Sequence, residues 1–313
     1  MSSNLRPTVV LFSLSLLSRL VSAQGLSPRA YVISPIHSNA VTLTYTLQDG
    51  NIVFDASVPI TGSTGRVGTE TATLFHSFNF FSRSANINIS LPYSIGHFQA
   101  DVNGEPIKLY RSGLNSTTIR LSANVFGAPA MTPAEYMKWH QKLIIGASLT
   151  VSTPTGQYDP ALLVNIGNNR WAFKPEVGVS RRWNRWFLDT YAAVWFFTAN
   201  DDFYRNKPGS IGPNRQTEEP MGSVEAHLSY DVKPRLWFSL DGNYWYGGET
   251  SLNGVATPTT LQANSRIGGT AAIPISKHQA LKFSYSRGTY TTFGGDYQTV
   301  SAAWQYSWLG RPN

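Results

Sequence analysis

Residues 220–247 carry two runs in which apolar and polar side chains alternate, separated by a turn at Lys233-Pro234. In the first run Gly222, Val224, Ala226, Leu228, Tyr230 and Val232 share one face, and Ser223, Glu225, His227, Ser229 and Asp231 share the other. In the second, Leu236, Phe238, Leu240 and Tyr244 oppose Ser239, Asp241, Asn243 and Trp245. A period of two residues puts successive side chains on opposite faces of a strand. The pair therefore predicts a hairpin with one apolar and one polar face.

The same rhythm recurs along the chain and predicts twelve strands. Residues 40–48, 70–80, 85–93 and 117–126 form the first four, and 142–152, 170–180 and 185–198 the next three. The hairpin supplies the eighth and ninth, and 262–275, 279–289 and 297–308 complete the set. The third is the most regular, with Ala85, Ile87, Ile89, Leu91 and Tyr93 against Asn86, Asn88 and Ser90. The sixth contains Pro175, which has no amide hydrogen for a ladder and so predicts a bulge or a rim position. The seventh is aromatic on both faces, and its facing stays open.

Connection lengths carry a second signal. The links at 81–84, 181–184, 233–234 and 276–278 are short, whereas 49–69, 94–116, 153–169, 199–219 and 248–261 are long and rich in turn residues. Short turns alternating with long loops are how outer-membrane barrels are built. An even strand count puts both ends of the chain on the short-turn side. Residues 127–141 break the alternation. Thr132 as N-cap and Pro133 in the first turn predict a short helix over 133–140, with Tyr136, Trp139 and His140 on one face. A place at the membrane interface, in the barrel floor or on an ordinary surface each fits that pattern.

Composition narrows the class. Charged residues make up 14% of the chain, against about 25% in ordinary soluble domains. There are nine Trp, fifteen Tyr and no Cys. Residues 1–23 have the basic start, apolar run and small-residue cleavage site of a secretory signal peptide. No later stretch approaches the roughly 18 consecutive apolar residues of a membrane-spanning helix. The slightly negative mean hydropathy is what lumen-facing polar residues produce when they alternate with lipid-facing apolar ones. The net charge of +7 has no Lys/Arg cluster or recognition motif behind it, so nucleic acid is not an expected partner.

The expected architecture is all-β: a twelve-stranded antiparallel transmembrane up-and-down barrel with one short helix between strands four and five. It divides into a signal peptide (1–23), an N-terminal periplasmic segment (24–39), the barrel (40–309) and a C-terminal tail (310–313). The expected location is the outer membrane of a Gram-negative cell. Its lipids, and the barrel-assembly machinery during biogenesis, are the expected partners.

Candidate chemistry then falls in the lumen. The strand phases point Lys174, Glu176, Glu225, His227, Asp241, Asn243, Trp245, Arg266, Lys282 and Gln305 inward. Charges of both signs in a confined lumen pair across it and narrow a pore. Trp245 near Asp241 and Asn243 offers a ring surface beside polar groups, suited to a phenol-like solute, although the same residues also suit a rigid, closed barrel. Glu225, His227 and Ser229 share a face, but about 7 Å separates successive same-face positions, too far for a nucleophile and its base. No catalytic residue, metal site or cofactor is expected. Trp183, Trp186, Tyr230, Trp237, Tyr244, Tyr246, Trp304, Tyr306 and Trp308 cluster near strand ends, which predicts the aromatic girdles of a membrane barrel.

Residues 146–203 carry three marks of a known family. They are Pro154-Thr155-Gly156-x-Tyr158-Asp159, then Asn165-x-Gly167-x-Asn169-Arg170-Trp171-x-Phe173-Lys174-Pro175-Glu176, then Thr198-x-Asn200-x-Asp202-Phe203. This resembles the family called putative MetA-pathway of phenol degradation, and the likeness extends loosely from about residue 40 to the end. The resemblance implies an outer-membrane barrel engaged in uptake or handling of aromatic compounds, and brings no catalytic residues with it. Trp308 approximates the terminal aromatic of such barrels, but Leu309 and four more residues follow it. The function expected is passive admission of small hydrophobic or aromatic, phenol-like compounds. The alternatives are a closed structural or surface-interaction barrel and, third, an outer-membrane lipid hydrolase.

Overall fold

The computed structural model describes residues 26–53, 60–102, 104–162, 164–205 and 213–310. The predicted signal peptide and residues 311–313 lie outside the described residues. The elements in chain order begin with β1 (Ser38–Val53), β2 (Ile60–Phe80), β3 (Arg83–Val102), β4 (Glu105–Leu114), β5 (Thr118–Phe126) and α1 (Pro133–Lys138). Next come β6 (Leu143–Ser152), β7 (Ala172–Trp183), β8 (Trp186–Phe197), β9 (Asn200–Phe203), β10 (Asn214–Glu218), β11 (Met221–Lys233) and β12 (Leu236–Gly247). The last are β13 (Thr250–Leu252), β14 (Val255–Thr257), β15 (Gln262–Pro274), β16 (Gln279–Tyr290) and β17 (Gly294–Leu309).

Twelve of these strands close into one ring, in the order β1-β2-β3-β5-β6-β7-β8-β11-β12-β15-β16-β17 and back to β1. Each strand pairs antiparallel with its neighbour, and β17 meets β1 along its whole length, from Ser38↔Leu309 to Val53↔Gly294. Closure leaves the twelve-strand ring without a free edge, which a lipid environment demands of any sheet that crosses it.

The alternation read from the sequence sets the two faces. Leu240 is 60% exposed on the outside, Val177 55% and Val224 53%, whereas His227, Ser229 and Asp189 are fully buried inside. A wall of exposed leucine, valine and phenylalanine around a polar interior is the inverse of a water-soluble domain, and its outer solvent is lipid. Leu240→Arg would set a cation against hydrocarbon. It is expected to lower the unfolding free energy in lipid vesicles by about 2 kcal/mol, while Asn243→Gln, on the inward face of the same strand, changes it far less.

Three predicted features need correction. Residues 49–69 and 94–116 are mostly strand rather than loop: β2 runs for 21 residues and β3 for 20, and β4 pairs with β3 from Tyr93↔Leu114 to Val102↔Glu105. Gly, Ser and Thr in these stretches imitate loop composition. A hairpin ladder growing out of the barrel wall supplies their backbone hydrogen bonds regardless of side-chain type. Pro175 makes no bulge. It pairs in regular register with Leu149 on β6, and the ladder to β8 skips Lys174 and Pro175, then resumes in unchanged register at Glu176↔Ala193. The missing amide hydrogen is accommodated by an interrupted ladder on one side. Finally, Trp237 is not in the outer girdle: its ring lies inside, against Arg29.

The helix predicted after strand four is α1. Its capping box is complete, since Thr132 N–H donates to Glu135 Oε2 at 2.7 Å and Glu135 N–H donates back to Thr132 Oγ1. The backbone and hydroxyl of Thr132 hold the exposed Glu135 carboxyl below its ordinary range. Tyr136 and Trp139 pack upward onto a buried cluster of Tyr31, Ile33, Ala128, Met131, Ile144 and Tyr191, so α1 lies across the floor of the barrel.

Candidate functional site in the barrel lumen

The described residues that precede β1, 26–37, run into the barrel from the short-turn end and are bonded to its inner wall at several points. Arg29 N–H donates to Asp189 Oδ2 at 3.1 Å, and Ala30 N–H to Tyr191 Oη at 3.0 Å. The Arg29 guanidinium lies 4.2 Å from the Phe187 ring centre and 4.4 Å from that of Trp237, and pairs with Asp231 at 2.8 Å. Below them, Ile36 N–H donates to the Met131 carbonyl and His37 N–H to that of Ser77.

Tyr31 is the anchor. Its ring lies on a bed formed by Gly146 on β6 and Gly178 on β7, which face each other in register. A Cβ on Gly146 would fall 2.2 Å from the ring and one on Gly178 2.1 Å from it. The ring packs edge-on against Tyr191 at 5.3 Å. The phenol donates to Glu176 Oε1 at 3.0 Å and shares a hydrogen bond with Ser148 at 3.1 Å. Two side-chain-free residues on adjacent strands make a flat slot that only a planar ring fills closely.

Glu176 joins this anchor to a wider polar network. Lys174 Nζ lies 2.8 Å from one of its oxygens and Arg120 3.3 Å from the other. Lys174 also reaches Glu225 at 3.5 Å, and Glu225 lies 3.4 Å from His227 Nε2. His227 Nδ1 donates to Asp241 Oδ1 at 2.9 Å, while Thr270 donates to the other oxygen of Asp241. Opposite charges in contact at the centre of the barrel tie β5, β7, β11, β12 and β15 together and fill one half of the lumen.

The ten lumen residues read from the sequence divide among different surroundings. Lys174, Glu176, Glu225, His227 and Asp241 are members of the network, and Asn243 is buried beside it on β12. Arg266 donates to Ser286 and Thr299 across β16 and β17. Trp245 packs with Ala172, Trp195 and Met221 near the long-loop end, and its indole N–H donates to Gln262. Just above it a buried Arg170–Glu218 ion pair ties the loops. Lys282 and Gln305 line a cavity of about 920 Å³ that opens at the short-turn end, between the N-terminal segment and the wall. Ser229 Oγ is buried without a hydrogen-bond partner, and both ring nitrogens of His227 face carboxylates, so the nucleophile–base contact of a hydrolase is not made.

The other half of the lumen is different. Inward-facing residues on β6, β7, β8, β11, β12 and β15 are mostly buried. Many of those on β1, β2, β3, β5, β16 and β17, such as Thr42, Thr44, Thr73, Asn88, Ser284 and Ser301, are only partly buried. They line an inner crescent of hydroxyls and amides, cross-linked by bonds such as Thr46–Ser301 at 2.8 Å and Thr73–Ser90 at 2.9 Å. The barrel is thus packed on one side and accessible on the other.

Arg29, Tyr31, Arg120, Asp189 and Tyr191 were not among the sequence candidates. Asp189 and Tyr191 lie on the strand whose two aromatic faces hid its phase. Arg29 and Tyr31 lie in a stretch with no strand period. Its only signal is a Tyr-Val-Ile run between prolines, 28–35, too apolar for a tail in water.

The family model described as "Putative MetA-pathway of phenol degradation" matches residues 44–302. Among solved structures, the COG4313 outer membrane channel from Pseudomonas putida F1 is similar with a TM-score of 0.74 at 15% identity, over 91% of this chain and 100% of that one. The β domain of the Bordetella autotransporter BrkA follows with a TM-score of 0.49 at 12% identity, over 87% and 100% of the two chains. A deltaS2S3 mutant of the monoaromatic hydrocarbon channel TodX has a TM-score of 0.46 at 11% identity, over 88% and 91%. No curated protein matches the chain by sequence.

Proposed function

Since this chain belongs to the family described as "Putative MetA-pathway of phenol degradation", and its fold is a closed transmembrane barrel, we propose that it is an outer-membrane channel that passively admits small hydrophobic or aromatic, phenol-like compounds. The observation that carries this reading is the half-filled lumen. A barrel built only as scaffold has no reason to leave hydroxyls and amides open on six of its strands while packing the other six. Uncharged hydrogen-bonding groups suit a solute with one hydroxyl on a ring, because they exchange bonds with it without holding it firmly. The cavity of about 920 Å³ at the floor, rimmed by Tyr136, Trp139 and Trp237, then receives a ring on its way to the periplasm. Export by the N-terminal leader and insertion by the barrel-assembly machinery belong to the same reading.

The full ion-pair network favours a second reading, a closed structural barrel. Proteoliposomes and planar bilayers separate the two. A channel is expected to pass small ions and to take up benzyl alcohol above the protein-free leak. A folded, inserted barrel that does neither overturns the transport reading.

A further inference from the structure

Charge is distributed unevenly around the open half of the lumen. Among the described residues of β1, β2, β3, β5, β16 and β17, Arg120 and Lys282 face inward, and the carboxylate at hand on these strands is Asp296 of β17, which lies at the long-loop end beside Gly288 and Arg266, away from the floor. The inward carboxylates Glu176, Glu225, Asp189 and Asp241 all belong to the packed half, each bonded to a cation, a histidine or a backbone amide. The floor cavity repeats the bias. It is lined by Arg29, Arg182, Arg185, Lys233, Arg235 and Lys282 against a single carboxylate, Asp231. Arg29 and Arg182 take up both oxygens of Asp231 at 2.8 and 3.7 Å. Four cations therefore line the cavity with no carboxylate partner among the described residues. Lys282 makes no hydrogen bond or close ion pair among the described residues, and the carboxylate that acts on it, Asp241, is already bonded to His227 and Thr270.

From this geometry, and resting on the channel reading, we infer that the solute is an aromatic acid, carried as its anion, with the floor cavity as its site. A ring lies against the rim of Tyr136, Trp139 and Trp237 while its carboxylate meets Lys282 and Arg185. Cations without carboxylates in a confined, partly dry space raise the local concentration of anions and repel cations. An uncharged ring alcohol gains the aromatic contact alone. A ring-bearing ammonium meets like charge at each step.

Benzoate, benzyl alcohol and benzylamine share a ring and differ in charge, so they test the inference on the folded full-length chain in detergent. Quenching of intrinsic tryptophan fluorescence is expected to report benzoate binding about tenfold more tightly than benzyl alcohol, the effect of one charge-assisted contact, and benzylamine most weakly. The double variant Lys282→Gln/Arg185→Gln is expected to close the gap between benzoate and benzyl alcohol by weakening benzoate. Under a KCl gradient across a planar bilayer, the wild-type zero-current potential is expected to have the anion-selective sign. Equal binding of the acid and the alcohol by the wild-type chain, or a cation-selective potential, overturns the inference whatever the variant does. The two readings fail separately. Benzyl alcohol uptake without benzoate preference leaves the channel standing, whereas benzoate binding without any flux leaves the site standing and the channel reading fallen.

Discussion

Deleting residues 26–36 is expected to raise single-channel conductance severalfold in planar bilayers, without abolishing the folded, heat-modifiable form of the barrel. The segment fills cross-section that the wall leaves empty: Arg29 between Phe187 and Trp237, Tyr31 on its glycine bed, and Ile33 over Met131 and Ile144. It contributes no strand to the ring, so closure survives its removal. A point variant reaches the same end through sterics alone. Leucine at Gly178 places a side chain where the Tyr31 ring lies, 2.1 Å from the position its own Cβ takes, and 2.8 Å from Tyr191. Gly178→Leu is expected to evict Tyr31 and raise conductance in the same direction but by less, because Arg29 remains pinned to Asp231 and Asp189. Limited proteolysis from the periplasmic side reads the released segment directly. Conductance equal to wild type in both variants would mean that the open crescent alone limits current.

The second large effect is thermodynamic. Glu176→Ala removes the one carboxylate that meets Lys174, Arg120 and the Tyr31 hydroxyl together. It leaves two cations facing each other with Glu225 as their nearest compensation. Breaking a buried ion pair on one side costs about 3–5 kcal/mol. Lys174 and Arg120 retain some water at 15% and 21% side-chain exposure, which places the expected loss near 3 kcal/mol. Denaturant unfolding in lipid vesicles measures it. Glu176→Gln keeps an acceptor for Tyr31 and is expected to lose less. A Glu176→Ala variant as stable as wild type would show that the pairs and their desolvation cancel.

Both effects rest on parts of the molecule that differ in how visibly they are written in the chain. The wall was legible. Val224, Ala226, Leu228 and Leu240 against Glu225, His227 and Asp241 encode a strand pair and its facing by period alone, and the structure pairs them in that phase. The twelve strands and the helix after the fourth follow from the same period and from turn chemistry at Thr132-Pro133. Where the period failed, so did the assignment. Trp186–Phe197 has large apolar residues on both faces because Phe187, Tyr191 and Trp195 bury against the lumen contents and Leu188, Val194 and Phe196 against lipid. Hydrophobicity cannot tell those two apolar surroundings apart.

Local sequence fixes which residues alternate, where turns break the alternation and that the greasy face is continuous around the ring, since each of these depends on neighbours within a few positions. What occupies the lumen is decided only by the closed tertiary structure. Tyr31 finds its slot through Gly146 and Gly178, more than a hundred residues away and on two different strands. Glu176, two residues from Lys174 on its own strand, gathers Arg120 and Tyr31 from two other segments. Such contacts exist once twelve strands have curved shut and brought distant inward faces within reach, and no spacing along the chain encodes that distance.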